Sequence, residues 1–227
     1  TTCPRLIDDP TGNTVANPIL VDNTLNPITC PRSNIKDIFY EIDYMPNHRP
    51  NYLALRDVIT AFKNAPTTAI TGVTPGIQLH FKINEQIATH DDFIPWSVTA
   101  NGANPLGGFD QIKKLYYGSL ADRVGTPDVV AAKLLSERQV MRYMLFSHQQ
   151  EEAANVRASG YSEIYGNDIE ISLGAGSGGV GTQMEQAGTI MHEIGHNIGL
   201  NHGGVATNTQ NCKPNYLSVM NYAFQFT

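Results

Sequence analysis

With 227 residues, of which 41% are hydrophobic, the chain is long and apolar enough to form one domain of good size or two small lobes. Its net charge of −6, without a cluster of basic residues, argues against nucleic acids and anionic membrane surfaces as partners. No apolar run approaches the roughly 18 residues of a membrane-spanning helix, and the low charged content of 16% favours a secreted, loop-rich protein.

Residues 1–35 are rich in Pro, Asn, Thr and Asp, which predicts an irregular N-terminal arm rather than a separate domain. Cys3 and Cys30 stand in duplicate Thr-Cys-Pro-Arg contexts. A disulfide between them would close a loop of about 28 residues, add on the order of 3 kcal/mol and require an oxidising compartment. The arm also holds carboxylates that either cap turns or bind calcium: Asp8, Asp9 and Asp22. The chain begins without an initiator Met, which favours a processed or trimmed product.

After the arm, the spacing of apolar residues predicts a mixture of strands and helices. Alternation or short apolar runs predict strands at 38–45, 77–83, 140–146, 159–165 and 168–173. Apolar residues three and four apart predict helices at 52–64, 112–117 and 128–139, and a further helix that begins near Gln186. Residues 84–110 are expected to form a long surface loop. Two isolated histidines, His80 and His148, are each expected to be solvated.

The stretch from His192 to His202 contains the clearest site pattern in the chain. His192 and His196 are four residues apart, so on a helix their rings project from one face and can share one ion. Glu193 is placed to reach a water molecule on that ion, while Gly199 can end the helix and let His202 return as a third ligand. Three imidazoles with an open fourth position predict a catalytic zinc site. The alternative is a buried amphipathic helix whose histidines are satisfied by hydrogen bonds.

This pattern, His-Glu-x-x-His-x-x-Gly-x-x-His, resembles the zinc signature of the metzincin metallopeptidases. Ser-Val-Met-Asn-Tyr at 218–222 looks like the Met-turn of that family, and these strings together with 37–45 are similar to a group of secreted prokaryotic metzincins. The resemblance implies an α+β or α/β fold, with a twisted mixed sheet, backing helices and a zinc helix at the cleft floor. It implies one catalytic domain, with an upper lobe at 36–203 and the start of a lower lobe, carrying the Met-turn, at 204–227.

The resemblance also implies a function, that of a zinc-dependent endopeptidase. A zinc-bound water would attack the peptide bond, with Glu193 as general base and then general acid. Met220 would lie beneath the metal, and Tyr222 would contribute its hydroxyl to the zinc or to the tetrahedral intermediate. Protein or peptide substrates would bind in extended form, antiparallel to a sheet edge near 159–165, with neutral side chains favoured by a pocket along 205–217. The family further implies a secreted protein, and we expect a monomer.

Two other functions are compatible with the sequence. One is a zinc-dependent amidase or deacylase, and the other is a secreted binding or toxin module with a vestigial zinc lobe. Cys212, ten residues after His202, also has two interpretations. It is either a small buried hydrophobic residue, which we expect, or a thiolate that can occupy the open zinc position.

Overall fold

The computed structural model describes residues 36–66, 76–97, 105–150, 158–205 and 207–227. The predicted arm at 1–35 lies outside the described residues, and so do both partners of the predicted Cys3–Cys30 disulfide. The three candidate calcium ligands of that arm lie outside them as well. The disulfide and the calcium site therefore stay predictions.

A five-stranded, mostly parallel sheet forms the centre of the described structure. Its order is β2-β1-β3-β5-β4, and β4 alone runs antiparallel, at the edge beside β5. The strands are β1 (Lys36–Tyr44), β2 (Ile77–Gln86), β3 (Met141–Ser147), β4 (Gly160–Ser162) and β5 (Asp168–Ser172). Each predicted strand is confirmed, and the combination of sheet and helices is consistent with the predicted α+β class.

Four α-helices accompany the sheet within the described residues: α1 (Tyr52–Lys63), α2 (Phe109–Tyr116), α3 (Pro127–Arg138) and α4 (Gln183–Asn197). None of them is long and apolar enough to cross a membrane. Helix α4 begins three residues before the predicted start, because Thr182 and Glu185 form a reciprocal capping box. A short hairpin of β6 (Leu200–Asn201) and β7 (Gly204–Val205) follows α4.

The sheet is covered on both faces, which explains why β3 reads as a nearly continuous apolar run. Met144 and Phe146 face a core cluster that includes side chains of α1 and α4. Tyr143 and Leu145 point the other way, into a second cluster that includes Phe109 of α2. Helix α4 is therefore held against the sheet by its own apolar side chains, Ile190 and Ile194 among them.

Strand β1 also buries two carboxylates at the second face, Glu41 and Asp43. Glu41 accepts a hydrogen bond from Lys82 at 2.9 Å, and Asp43 accepts one from the Asn84 side chain at 3.0 Å. Burial, and next the charge of Glu41, raise the pKa of Asp43 to about 8. The fold therefore disfavours the charged form of this carboxyl group.

Candidate metal centre

The second half of α4 carries His192, Glu193 and His196, all of them buried. The two histidines lie one helical turn apart, so both rings project to the same side. Their Nε2 atoms are 3.1 Å apart, and the ring planes are nearly perpendicular at 86°. Two nitrogens bound to one tetrahedral zinc at about 2.0–2.1 Å lie roughly 3.3 Å from each other. The spacing therefore fits two ligands of one ion.

His202 reaches the same point after the chain reverses direction. The reversal uses Gly199, whose φ of 98° lies in the left-handed region that favours glycine. The His202 ring centroid is 5.2 Å from that of His192 and 4.9 Å from that of His196. Potential ligand atoms of the three residues all lie within 4.8 Å of one another. Moreover, His202 Nε2 is buried without a hydrogen-bond partner among the described residues, as expected for an atom whose partner is an ion.

Backbone carbonyl groups orient two of these rings. His192 Nδ1 lies 2.8 Å from the Val219 carbonyl oxygen, and His196 Nδ1 lies 2.8 Å from that of Leu200. When each Nδ1 carries the proton and donates to its carbonyl, each Nε2 presents a lone pair to the shared centre. Burial lowers the pKa of all three histidines, that of His192 to about 4, so the neutral form that binds metal prevails at pH 7. The three histidines could therefore hold a metal ion.

Glu193 is only 3% exposed and lies against the edge strand β4. A Cβ atom at Gly160 would come within 2.8 Å of Glu193 Cγ and 2.9 Å of its Oε1, so the absence of a side chain there makes room for the carboxyl group. Burial, followed by the charge of Glu170, raises the pKa of Glu193 to about 8. Glu193 is therefore a buried carboxyl group next to a candidate metal-ligand cluster, where it is positioned for proton transfer.

The segment 218–222 passes beneath α4 and supports the cluster from below. Met220 is 1% exposed and contacts α4 at Gly195, where an added Cβ atom would overlap Met220 Sδ. The Asn221 amide donates to the carbonyl oxygens of Lys213 at 2.6 Å and Tyr216 at 2.9 Å, which closes the segment into a tight turn. The Val219 carbonyl that orients His192 belongs to this turn.

Tyr222 lies beside the histidines, with its ring centroid 4.5 Å from that of His202 and 5.4 Å from that of His192. Its side chain is 54% exposed, so solvent or a substrate can reach it. Burial of the remainder, then the charges of Glu193 and Cys212, raise the pKa of the hydroxyl group. Tyr222 therefore keeps its proton near neutral pH and can donate a hydrogen bond.

Three expectations about other residues need correction. Cys212 is exposed rather than buried, and its φ of 55° lies in the left-handed region. His80 is buried rather than solvated, because its Nε2 pairs with Asp37 Oδ1 at 2.6 Å and its ring stacks on Phe39. His148 does follow β3, but its ring belongs to a second group of three histidines instead of standing alone in solvent.

That second group, His48, His90 and His148, was not predicted from the sequence. Each of the three follows a different strand of the parallel part of the sheet: β1, β2 and β3, respectively. The carboxyl ends of adjacent parallel strands meet at one edge of the sheet. A histidine shortly after each of three neighbouring strands therefore indicates such a group. Recognising it requires the strand order, which no local sequence pattern reveals.

Comparison with protein families gives one match. The Peptidase M66 family model matches residues 135–217, less than half of the chain, from the end of α3 to the residue before the Met220 turn. The matched range includes His192, Glu193, His196 and His202 but neither Met220 nor Tyr222. No curated protein matches the chain. The match supports a metallopeptidase family, and a peptidase acts on proteins or peptides.

Proposed function

We propose that the protein is a zinc-dependent endopeptidase of the metzincin type, in which His192, His196 and His202 bind the metal and Glu193 acts as general base. One observation carries the proposal. Three imidazoles converge on one point, and the residue after the first of them is a buried carboxyl group. All-nitrogen donors suit zinc and not calcium, which prefers oxygen. The family match over 135–217 supports the same reaction class.

Zinc, when bound, would polarise the scissile carbonyl group and lower the pKa of a water molecule in its open position. The protein residues then carry out the proton transfers. Glu193 accepts the proton of the attacking water and delivers it to the leaving amine. Its position against Gly160 leaves it little freedom to turn away. The Tyr222 hydroxyl group, at the rim of the cluster, donates a hydrogen bond to the oxygen that becomes negative in the transition state.

Substrate binding is assigned to strand β4, which lies at the edge of the sheet and next to Glu193. A peptide in extended form adds there as a further antiparallel strand. The far wall of the proposed substrate pocket is assigned to residues 205 and 207–217, where Leu217 is exposed and apolar. The Lys213 ammonium group donates to the Gly203 carbonyl at 3.1 Å and lies over the Tyr216 ring, so its charge is already engaged. Neutral substrate side chains are therefore favoured at this position.

The proposed enzyme has a single catalytic domain, with its upper lobe at 36–203 and the beginning of a lower lobe, containing the Met-turn, at 204–227. It acts outside the cell and as a monomer. The resemblance to secreted metzincins supports the location. The lobe division is supported by the position of the cluster, which lies between α4 and the 218–222 turn.

A peptide-library digest with two glutamate variants tests the proposal. Glu193→Gln keeps the side-chain shape but cannot accept the proton, so we expect full zinc content and a loss of kcat of about 10²- to 10⁴-fold. Glu185→Gln is the matched control, since it makes the same change on the same helix and glutamine also serves in a capping box. Chelator should abolish cleavage by the parent chain and zinc should restore it. Cleavage that survives in Glu193→Gln, or a zinc-loaded parent that hydrolyses only small amides, would refute the assignment.

A further inference from the structure

Six of the seven histidines in the chain fall into two groups of three. The second group, which we call the edge triad, consists of His48, His90 and His148. Its ring centroids form a nearly equilateral triangle with sides of 5.1, 5.0 and 5.0 Å. The corresponding sides of the first group measure 4.7, 5.2 and 4.9 Å. The two groups thus share one geometry, although they lie on different elements.

The edge triad sits where the carboxyl ends of three neighbouring parallel strands meet. His48 lies four residues after the end of β1, His90 four residues after β2, and His148 one residue after β3. In the sheet order β1 lies between the other two strands. The sheet already brings the three loops that carry these residues side by side. An ion bound by the three residues would therefore link the loops without any further ordering of distant parts of the chain.

The nitrogens of the edge triad are oriented as in a metal site. His48 Nδ1 lies 2.9 Å from the Pro46 carbonyl oxygen, so it carries the proton and leaves the lone pair of Nε2 to face the group. His48 Nε2 is 2.9 Å from His148 Nδ1. The opposite edge of the His148 ring lies against Gly174, where an added Cβ atom would come within 2.8 Å of Nε2. His148 therefore has its Nδ1 turned toward the triad by packing.

A carboxylate adjoins the edge triad. The Asp92 carboxylate lies 3.5 Å from His90 Nδ1 and is 75% exposed, so it is free to rotate toward an ion. Three imidazoles and one carboxylate would fill all four positions of a tetrahedral zinc ion and leave none open.

We propose that the edge triad binds a second zinc ion, distinct from the ion held by His192, His196 and His202, with Asp92 or a water molecule as fourth ligand. This ion has a structural role. The His48 loop continues to Asn51, whose backbone N–H donates to the Gln186 side chain of α4 at 2.8 Å. The His148 carbonyl accepts a hydrogen bond from Gly174 N at 2.6 Å. The second zinc therefore fixes loops that contact the zinc helix and the chain after β5.

Zinc counting by mass spectrometry of purified chains tests the proposal. His90 is exposed and outside both core clusters, so His90→Ala removes a ligand without opening a cavity. Thr89→Ala, at the exposed neighbouring position, is the matched control. We expect two zinc ions per parent chain and per Thr89→Ala chain, one in His90→Ala, one in His202→Ala and none in the double variant. The unfolding temperature of His90→Ala should no longer respond to the second equivalent of zinc.

The pattern of counts separates this proposal from the proposed function. If only the edge triad binds zinc, the parent chain and His202→Ala each hold one ion and His90→Ala holds none. If His90→Ala retains as much zinc as the parent, the second site is refuted. Cobalt titration of the metal-free parent chain and of metal-free His90→Ala provides an independent count. Two bound equivalents in the parent chain support the second site, and a single equivalent that persists in His90→Ala overturns it.

Discussion

Gly195 of α4 faces Met220 so closely that a Cβ atom at position 195 would overlap the methionine Sδ. Met220 is 1% exposed, and its neighbour Val219 supplies the carbonyl that orients the His192 ring. The contact thus connects α4 to the turn beneath it. It also explains why a glycine, which is unfavourable in a helix interior, occupies this position in α4.

Substitution of Gly195 by Ala should destabilise the protein, even though the same change stabilises an unconstrained helix by about 1 kcal/mol. Overpacking against Met220 costs typically about 1–3 kcal/mol. Met220→Ala leaves a cavity and should cost about 2–5 kcal/mol. Because the added methyl group partly fills that cavity, the double variant should lose less stability than the sum of the single variants. Denaturant unfolding of the four metal-free proteins measures the coupling, and strictly additive losses would show that the two residues do not meet.

Tyr222→Phe should lower kcat by about 10- to 100-fold, since it removes one hydrogen-bond donor from the proposed transition state but none of the metal ligands. Zinc content and KM should change little. Tyr52→Phe serves as control, because it removes a hydroxyl group from a partly buried tyrosine at the start of α1, outside the histidine groups and the proposed substrate pocket. A Tyr222→Phe enzyme with unchanged kcat would leave the residue with a packing role alone.

The buried Asp43 should make stability fall as the pH rises. Its pKa is about 3.9 in an unfolded chain and about 8 in the fold, so between these values the folded state binds the extra proton. The free energy of unfolding then decreases by about 1.4 kcal/mol per pH unit for one proton. Asp43→Asn should remove this contribution between pH 6.5 and 7.5, a window above the lowered histidine pKa values.

The control for this pH effect is Asp128→Asn, which makes the same change at an exposed position in the first turn of α3. Its stability should follow that of the parent chain at each pH. Denaturant titrations at several pH values measure the slopes. Equal slopes in the parent chain and in Asp43→Asn would mean that Asp43 is already ionised at neutral pH in the folded state.

Patterns local in sequence predicted most of the fold. The alternation in 77–83 and the apolar run at 140–146 identified β2 and β3, because side-chain period and burial are properties of the strand itself. The spacing of His192, His196 and His202 likewise predicts how these residues are arranged, since a helix followed by one turn brings the three together. The sequence alone therefore identifies the histidines of the first group.

Relationships that depend on the tertiary fold were beyond the sequence. His48 and His148 are 100 residues apart and meet only because β1 and β3 are neighbours in the sheet. His80 is buried because its ring Nε2 has a hydrogen-bond partner in the carboxylate of Asp37, on the adjacent strand. Cys212 is exposed, and its backbone has a positive φ that cysteine rarely adopts. In each case the sequence around the residue does not indicate its partner or its backbone conformation.

Anomalous X-ray diffraction at the zinc absorption edge, from crystals of the parent chain grown without added metal, locates a bound zinc ion directly. We expect an anomalous peak about 2.0–2.1 Å from a ring nitrogen of His192, His196 and His202, on the side of the cluster that Glu193 borders. A map in which these three rings surround no peak, while the same crystals contain zinc elsewhere, would contradict it.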